Sequence, residues 1–289
     1  MKEIKVQEIE IYAEGLDHPE CVIYHPNGNL YAGSEAGLIY EINTNREVSE
    51  IANTGGFILG LALSADCSWL AICDSGKKCV WKLDLVSKEL TLLFNTVENR
   101  ALQIPNFCCF DQNENLYVSD SGDFRKTTGC IYKMDRSGKV SIWHVGPFNF
   151  ANGLALSPDN DFLYVVSSFL PGIERIAIME DGSAGAREVV LEMPQTVPDG
   201  IAFDANGTLY ISCYAPNSIY NYEPTGKLKE LVHDWEAHTI TNPTNIAFGG
   251  TNFDQLFVAN LGRWHISKID LGTVGLKLVC HINHKTENE

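Results

Sequence analysis

The sequence predicts an all-β protein, a six-bladed β-propeller with about four antiparallel strands in each blade. Three observations predict it. A pattern of apolar strand, polar turn and second apolar strand recurs six times along the 289 residues. Its spacing settles near 46 residues. No stretch carries the apolar periodicity of an amphipathic helix. A sandwich with regular turns also alternates strands and turns, but it does not repeat at that spacing.

Taken in order, residues 4–13, "IKVQEIEIYA", alternate as a strand does and lie outside the repeats; they are expected to pair with the last blade and close the ring. The six repeats follow: "PECVIYHPNGNLYAGS", "LGLALSADCSWLAICD", "PNFCCFDQNENLYVSD", "ANGLALSPDNDFLYVVS", "PDGIAFDANGTLYISC" and "TNIAFGGTNFDQLFVAN". Further strands such as "LIYEI", "CIYKMD" and "SIYNYE" complete the blades. Six blades use nearly the whole chain, so residues 1–289 are expected to form one domain without a linker.

The first strand of each blade lines the central channel of a propeller, and its first residue sits at one mouth. Those positions read Glu20, Gly60, Asn106, Asn152, Asp199 and Asn245, with gaps of 40, 46, 46, 47 and 46 residues. Asn27-Gly28 and Asn206-Gly207 fall between paired strands, where turn chemistry accounts for them. Asn152-Gly153 and Asp199-Gly200 open strands, and turn chemistry does not account for those. Carboxylates converging on a narrow mouth repel unless a cation sits between them. Glu20, Asn152 and Asp199 are therefore candidate ligands of one divalent cation. Oxygen donors favour calcium, with magnesium, manganese or zinc as alternatives.

Composition narrows the function. With 37 acidic against 21 basic residues and a net charge of −16, the chain lacks the basic face a nucleic-acid binder needs. No apolar run reaches the length of a membrane span, and charges throughout the first fifteen residues argue against a signal peptide. The nine cysteines show no CxxC spacing and mostly lie inside apolar runs, Cys21, Cys108 and Cys109 among them. They read as reduced core thiols of a cytoplasmic protein. The expected partner is a small-molecule substrate; no protein partner is implied. Asp74 and Asp120, each opening "DSG" after a second strand, read as turn caps. His18 and Arg125 are close enough in sequence to a mouth to reach it.

Quoted together, "HPECVIY", "ANGLALSPDNDFLYVV" and "VPDGIAFDANGTLYIS" resemble the regucalcin/gluconolactonase family, six-bladed propellers that hydrolyse lactones with one divalent cation. The resemblance implies that Glu20, Asn152 and Asp199 hold the metal and that Asn106 lies beside the substrate. Two stretches depart from the family pattern. "PEC" stands where the family commonly reads "EGP", closer to strictosidine-synthase-like propellers. Ile104-Pro105-Asn106-Phe107-Cys108 replaces an Arg-x-Asn-Asp-Gly stretch. An apolar wall of Ile104, Phe107 and Phe124, the last from the long loop 121–129, would favour an alkyl- or aryl-substituted lactone over a sugar lactone.

The expected activity is thus a metal-dependent lactonase with Asp199 as general base and with Asn106 and Asn245 orienting substrate or water. The alternatives are an epoxide or phosphotriester hydrolase on the same site, a non-catalytic propeller binding a partner or calcium, and a metal-free strictosidine-synthase-like lyase.

Overall fold

The computed structural model of the chain describes residues 3–283; residues 1–2 and 284–289 of the expected 1–289 span lie outside the described residues. Six four-stranded antiparallel sheets form a six-bladed propeller. The innermost strands are Pro19–Tyr24, Ile58–Leu63, Pro105–Phe110, Ala151–Leu156, Val197–Phe203 and Pro243–Gly249. Each contacts the next in chain order, and the first contacts the last, so the ring is closed. The sixth sheet takes its outer strand from the other end of the chain. Glu10–Glu14 pairs antiparallel with His265–Asp270, Glu10 opposite Lys268 and Glu14 opposite His265.

The blades bury apolar residues against one another rather than around a single centre. Val22, Leu30, Ala32 and Tyr40 of the first blade pack against Phe257, Ala259 and Ile266 of the sixth, and similar clusters fill the other inter-blade seams. All nine cysteines are free thiols, eight of them buried.

Where the inner strands converge, backbone meets backbone. A Cβ on Gly60 would lie 2.5 Å from the Asn106 carbonyl oxygen, and one on Gly153 2.4 Å from that of Asp199. A Cβ on Gly200 would lie 2.7 Å from the Cα of Asn245. These distances are far below ordinary contact, so glycine is needed there for close approach and not for a turn.

Asp74 and Asp120 cap the inter-blade connections. Asp120 accepts the N–H groups of Gln103, Ile104 and Gly122 at 2.8, 2.9 and 2.9 Å. Asp74 accepts those of Phe57 and Lys77, and its second oxygen takes the indole N–H of Trp81. Asp120→Ala would strand three donors at once. The expected loss is about 2–4 kcal/mol, read from a lower urea midpoint at unchanged m-value.

The opposite mouth of the channel is crossed by a C-terminal strap. The Leu276 N–H donates to the Phe203 carbonyl, and a ring nitrogen of His281 lies 2.9 Å from the Tyr24 carbonyl. The short helix Val279–Asn283 buries Val279 and Cys280, and the Cys67 thiol donates to the Cys280 carbonyl. No helix among the described residues is long and apolar enough to cross a membrane.

Candidate active site

The ring at the first mouth is built by a repeated irregularity. In five blades a residue pairs directly with the end of the second strand: Pro19 with Ser34, Ile58 with Asp74, Pro105 with Asp120, Ala151 with Ser167 and Pro243 with Asn260. A register shift follows each pair, and a bulge of this kind re-aims the next side chain. The next residues are Glu20, Leu59, Asn106, Asn152 and Thr244. In the fifth blade Asp199 holds the equivalent place after Pro198.

This register corrects two of the sequence assignments. Gly60 and Asn245 lie one residue past the ring. Gly60 corresponds to Gly153 and Gly200, pressed against the neighbouring backbone. Asn245 turns its amide oxygen to the Val22 N–H of the first blade, 3.3 Å away, and borders the channel beyond the ring. It is a seam residue, not a group facing the mouth. Phe107 is displaced for the same reason. Half-buried, it packs against the fourth-blade cluster and lines the channel below the ring, so it cannot wall the mouth.

The structure brings Glu20, Asn106, Asn152 and Asp199 together in this ring, all buried. Each asparagine is oriented by a serine that closes its own second strand. Asn106 Nδ2 donates to Ser121 Oγ at 3.0 Å, and Ser121 donates on to the Ala151 carbonyl. Asn152 Nδ2 donates to Ser168 Oγ at 3.2 Å, and Ser168 donates to the Pro198 carbonyl. One amide N–H of each asparagine is thus committed to its serine, and Asn152 also hydrogen-bonds the Asp199 carboxyl. Thr244 Oγ1 donates to the Glu20 carbonyl at 2.7 Å and fixes the strand that carries the glutamate.

The two carboxylates are held under electrostatic stress. Burial pushes the Glu20 carboxyl well above the usual carboxylate range; the charge of Asp199 adds to this, and hydrogen bonding from Thr244 opposes it. Burial raises Asp199 likewise, against a hydrogen bond from Asn152. Glu20 Oε2 is buried with no hydrogen-bond partner. Buried carboxylate oxygens are costly to leave unmatched. A cation would answer both features, and two carboxylates with an amide oxygen would suit a hard divalent ion. Among the described residues no cluster of three His, Cys, Asp or Glu side chains forms, and a third protein ligand here would have to be an amide oxygen.

The mouth is aromatic on one side. Phe124, 62% exposed, meets Phe150 and Phe169 edge-on at 5.8 and 5.5 Å, and those two rings lie 5.0 Å apart. Arg125 turns back over the Phe124 ring, 5.4 Å from its centre. Across the mouth, His18 Nδ1 lies 3.2 Å from Asp17 and its ring 5.6 Å from that of Trp264, which is exposed. Thr244, Leu59, Phe150 and Phe169 are the residues sequence reasoning missed. For Thr244 a signal existed: matching "IAF" at 201–203 with "IAF" at 246–248 puts Thr244, not Asn245, opposite Asp199.

A family model described as SMP-30/Gluconolactonase/LRE-like region matches residues 83–261, more than half of the chain, and one described as strictosidine synthase-like, N-terminal, matches residues 5–42. The chain is 23% identical over 270 residues to the gluconolactonase of Zymomonas mobilis, covering 81% of this chain and 74% of that protein. It is 27% identical over 219 residues to the adipocyte plasma membrane-associated protein Hemomucin of Drosophila melanogaster, covering 65% of this chain and only 37% of that protein. Among solved structures, a gluconolactonase from Xanthomonas campestris superposes with a TM-score of 0.78 at 19% identity over 91% of this chain and 89% of that one. A regucalcin from Agrobacterium tumefaciens superposes with a TM-score of 0.76 at 16% identity over 96% and 98%.

Proposed function

Because this chain belongs to the SMP-30/gluconolactonase/LRE-like family, we propose that it is a divalent-metal-dependent lactonase, working at the ring of Glu20, Asn106, Asn152 and Asp199. The observation that carries this reading is Glu20 Oε2, buried and unpartnered beside a second buried carboxylate. Two of the relatives support it by name, as gluconolactonases, and the Agrobacterium neighbour is described as a calcium-binding protein. We take residues 1–289 to work as one unit; free thiols throughout fit a reducing, cytoplasmic setting.

Glu20, Asn152 and Asp199 would hold the cation, calcium first. The bound ion would supply Lewis-acid polarisation of an ester carbonyl and acidify a water beside it. Asp199 is the proposed general base and would take the proton of the attacking water. Asn106, tied to Ser121 by one amide N–H, presents its second N–H and its oxygen to the lactone. The rigid serine tethers keep both asparagines in place before substrate arrives, which limits reorganisation in the reaction.

The aromatic side of the mouth sets the substrate. Phe124, Phe150 and Phe169 offer ring edges and faces to an alkyl or aryl substituent, and the arginine expected near a sugar lactone is replaced by Ile104. Lactones with such substituents are expected to exceed gluconolactone in kcat/KM. Phe124→Ala is expected to lower kcat/KM for an aryl-substituted lactone about tenfold, with gluconolactone little changed. A pH-indicator assay over a lactone panel checks this, and a preference for gluconolactone in the parent protein would overturn the substrate assignment.

The match of residues 5–42 to the strictosidine synthase-like model favours one other reading, a metal-free lyase using Glu20. Asp199 and Asn152 would then have no role. Elemental analysis of the purified protein separates the two, because the lyase holds no stoichiometric metal.

A further inference from the structure

Below the ring, the channel widens into a cavity of about 290 Å³ that has no part in the proposed hydrolysis. Every blade contributes: Val22, Leu61, Phe107, Leu154, Ile201 and Ile246 line its walls, and Val279 of the C-terminal strap lines its floor. None of the ring residues Glu20, Asn106, Asn152 and Asp199 lines it. It opens instead on the opposite face, between the strap and the turns of the third and fourth blades. There Gln112, Pro158 and Lys277 reach solvent, and the apolar Leu278 and Ile282 are 46% and 55% exposed.

Size and charge point to one kind of occupant. An apolar cavity of about 150 Å³ stays dry and admits benzene, so one about twice that size suits a chain of about ten to twelve carbons. The chain carries 37 acids against 21 bases, yet among the described residues no Asp or Glu lines this cavity, and Lys277 stands at its opening. An anionic head is therefore matched at the rim, and an alkyl tail is matched inside.

We propose that the lower channel is a second ligand site, taking a medium-chain alkyl carboxylate with its tail on the channel axis and its head beside Lys277. The strap residues Leu278 and Ile282 cover the tail where it enters.

The test is titration of the full chain with sodium decanoate below its micellar concentration, followed by calorimetry. One saturable site per chain is expected. Affinity should rise about fourfold per added methylene from hexanoate to decanoate, the increment for burying one CH₂. Ala155→Trp, which fills the cavity from the fourth blade, is expected to weaken decanoate at least tenfold. Lys277→Glu, on the exposed rim, is expected to weaken decanoate about tenfold while leaving decanol unchanged, a readout that does not depend on the core variant folding. Absence of saturable binding would overturn the proposal. So would binding that Phe124→Ala abolishes and Lys277→Glu leaves intact, since the tail would then occupy the aromatic mouth.

Discussion

Asp199→Asn is expected to lower kcat/KM on a turned-over lactone by about 10²-fold or more. The substitution keeps an oxygen in the ring but removes a negative charge and the proposed proton acceptor. Loss of a general base is worth about 10²–10⁴-fold. Because the aspartate also serves the cation, the assay must be run at saturating metal, where a defect in affinity no longer contributes to the rate. Asn27→Ala provides the control. That asparagine accepts the Asn29 N–H in a turn between paired strands of the first blade, so its loss should leave turnover intact. An Asp199→Asn protein with near-normal turnover would assign the aspartate to metal holding alone and the base to another group.

Removing the cation is expected to have the largest effect on stability, and the effect should grow with pH. Calcium at a hundred times its dissociation constant would add about 2.7 kcal/mol. For a chain of this size that is a rise in Tm of about 5–10 °C, reversed by chelator. The pH dependence follows from the direction in which Glu20 and Asp199 are displaced. In the unfolded chain these carboxyls titrate near 4. In the metal-free fold burial keeps them protonated to higher pH. As pH rises above about 4, the unfolded chain releases these protons while the fold retains them, so the pair costs stability increasingly until it too ionises, and the full cost persists above that pH. A cation that displaces the retained protons binds more tightly as pH rises, and removes that cost. The calcium-induced rise in Tm should therefore be larger at pH 8 than at pH 5, and Glu20→Gln should flatten the difference. Equal shifts at both values would show that the pair does not hold the ion.

Much of this architecture was legible in the sequence because a propeller repeats its hydrophobic pattern, and six occurrences of one pattern outweigh the ambiguity of any single strand. Glu20, Asn152 and Asp199 were legible for a related reason: polar residues opening apolar strands need an explanation that turns do not supply. The phase of the ring was not. A bulge after Ile58 and after Pro243 adds a residue that periodicity cannot see, which is why counting puts Gly60 and Asn245 at the mouth. Phe107 was misplaced similarly, by counting along a strand that does not alternate evenly there. Phe150 and Phe169 come from connecting segments, whose approach to Phe124 depends on the packing of two blades and leaves no local pattern.

The borrowed strand of the sixth blade carries a consequence for how the chain is made. Glu10–Glu14 leaves the ribosome about 250 residues ahead of its partner, His265–Asp270. At roughly 5–20 residues per second, the early strand waits some ten seconds to a minute for its neighbour. During that interval the blades already synthesised form an open arc, with the inner strand of the first blade uncovered on one flank. Contacts that span nearly the whole chain are slow to form, and unpaired strand edges invite association with other chains. A ribosome that stalls before residue 265 leaves this arc permanently unclosed. Chaperone demand should accordingly fall once the sixth sheet takes up its waiting strand.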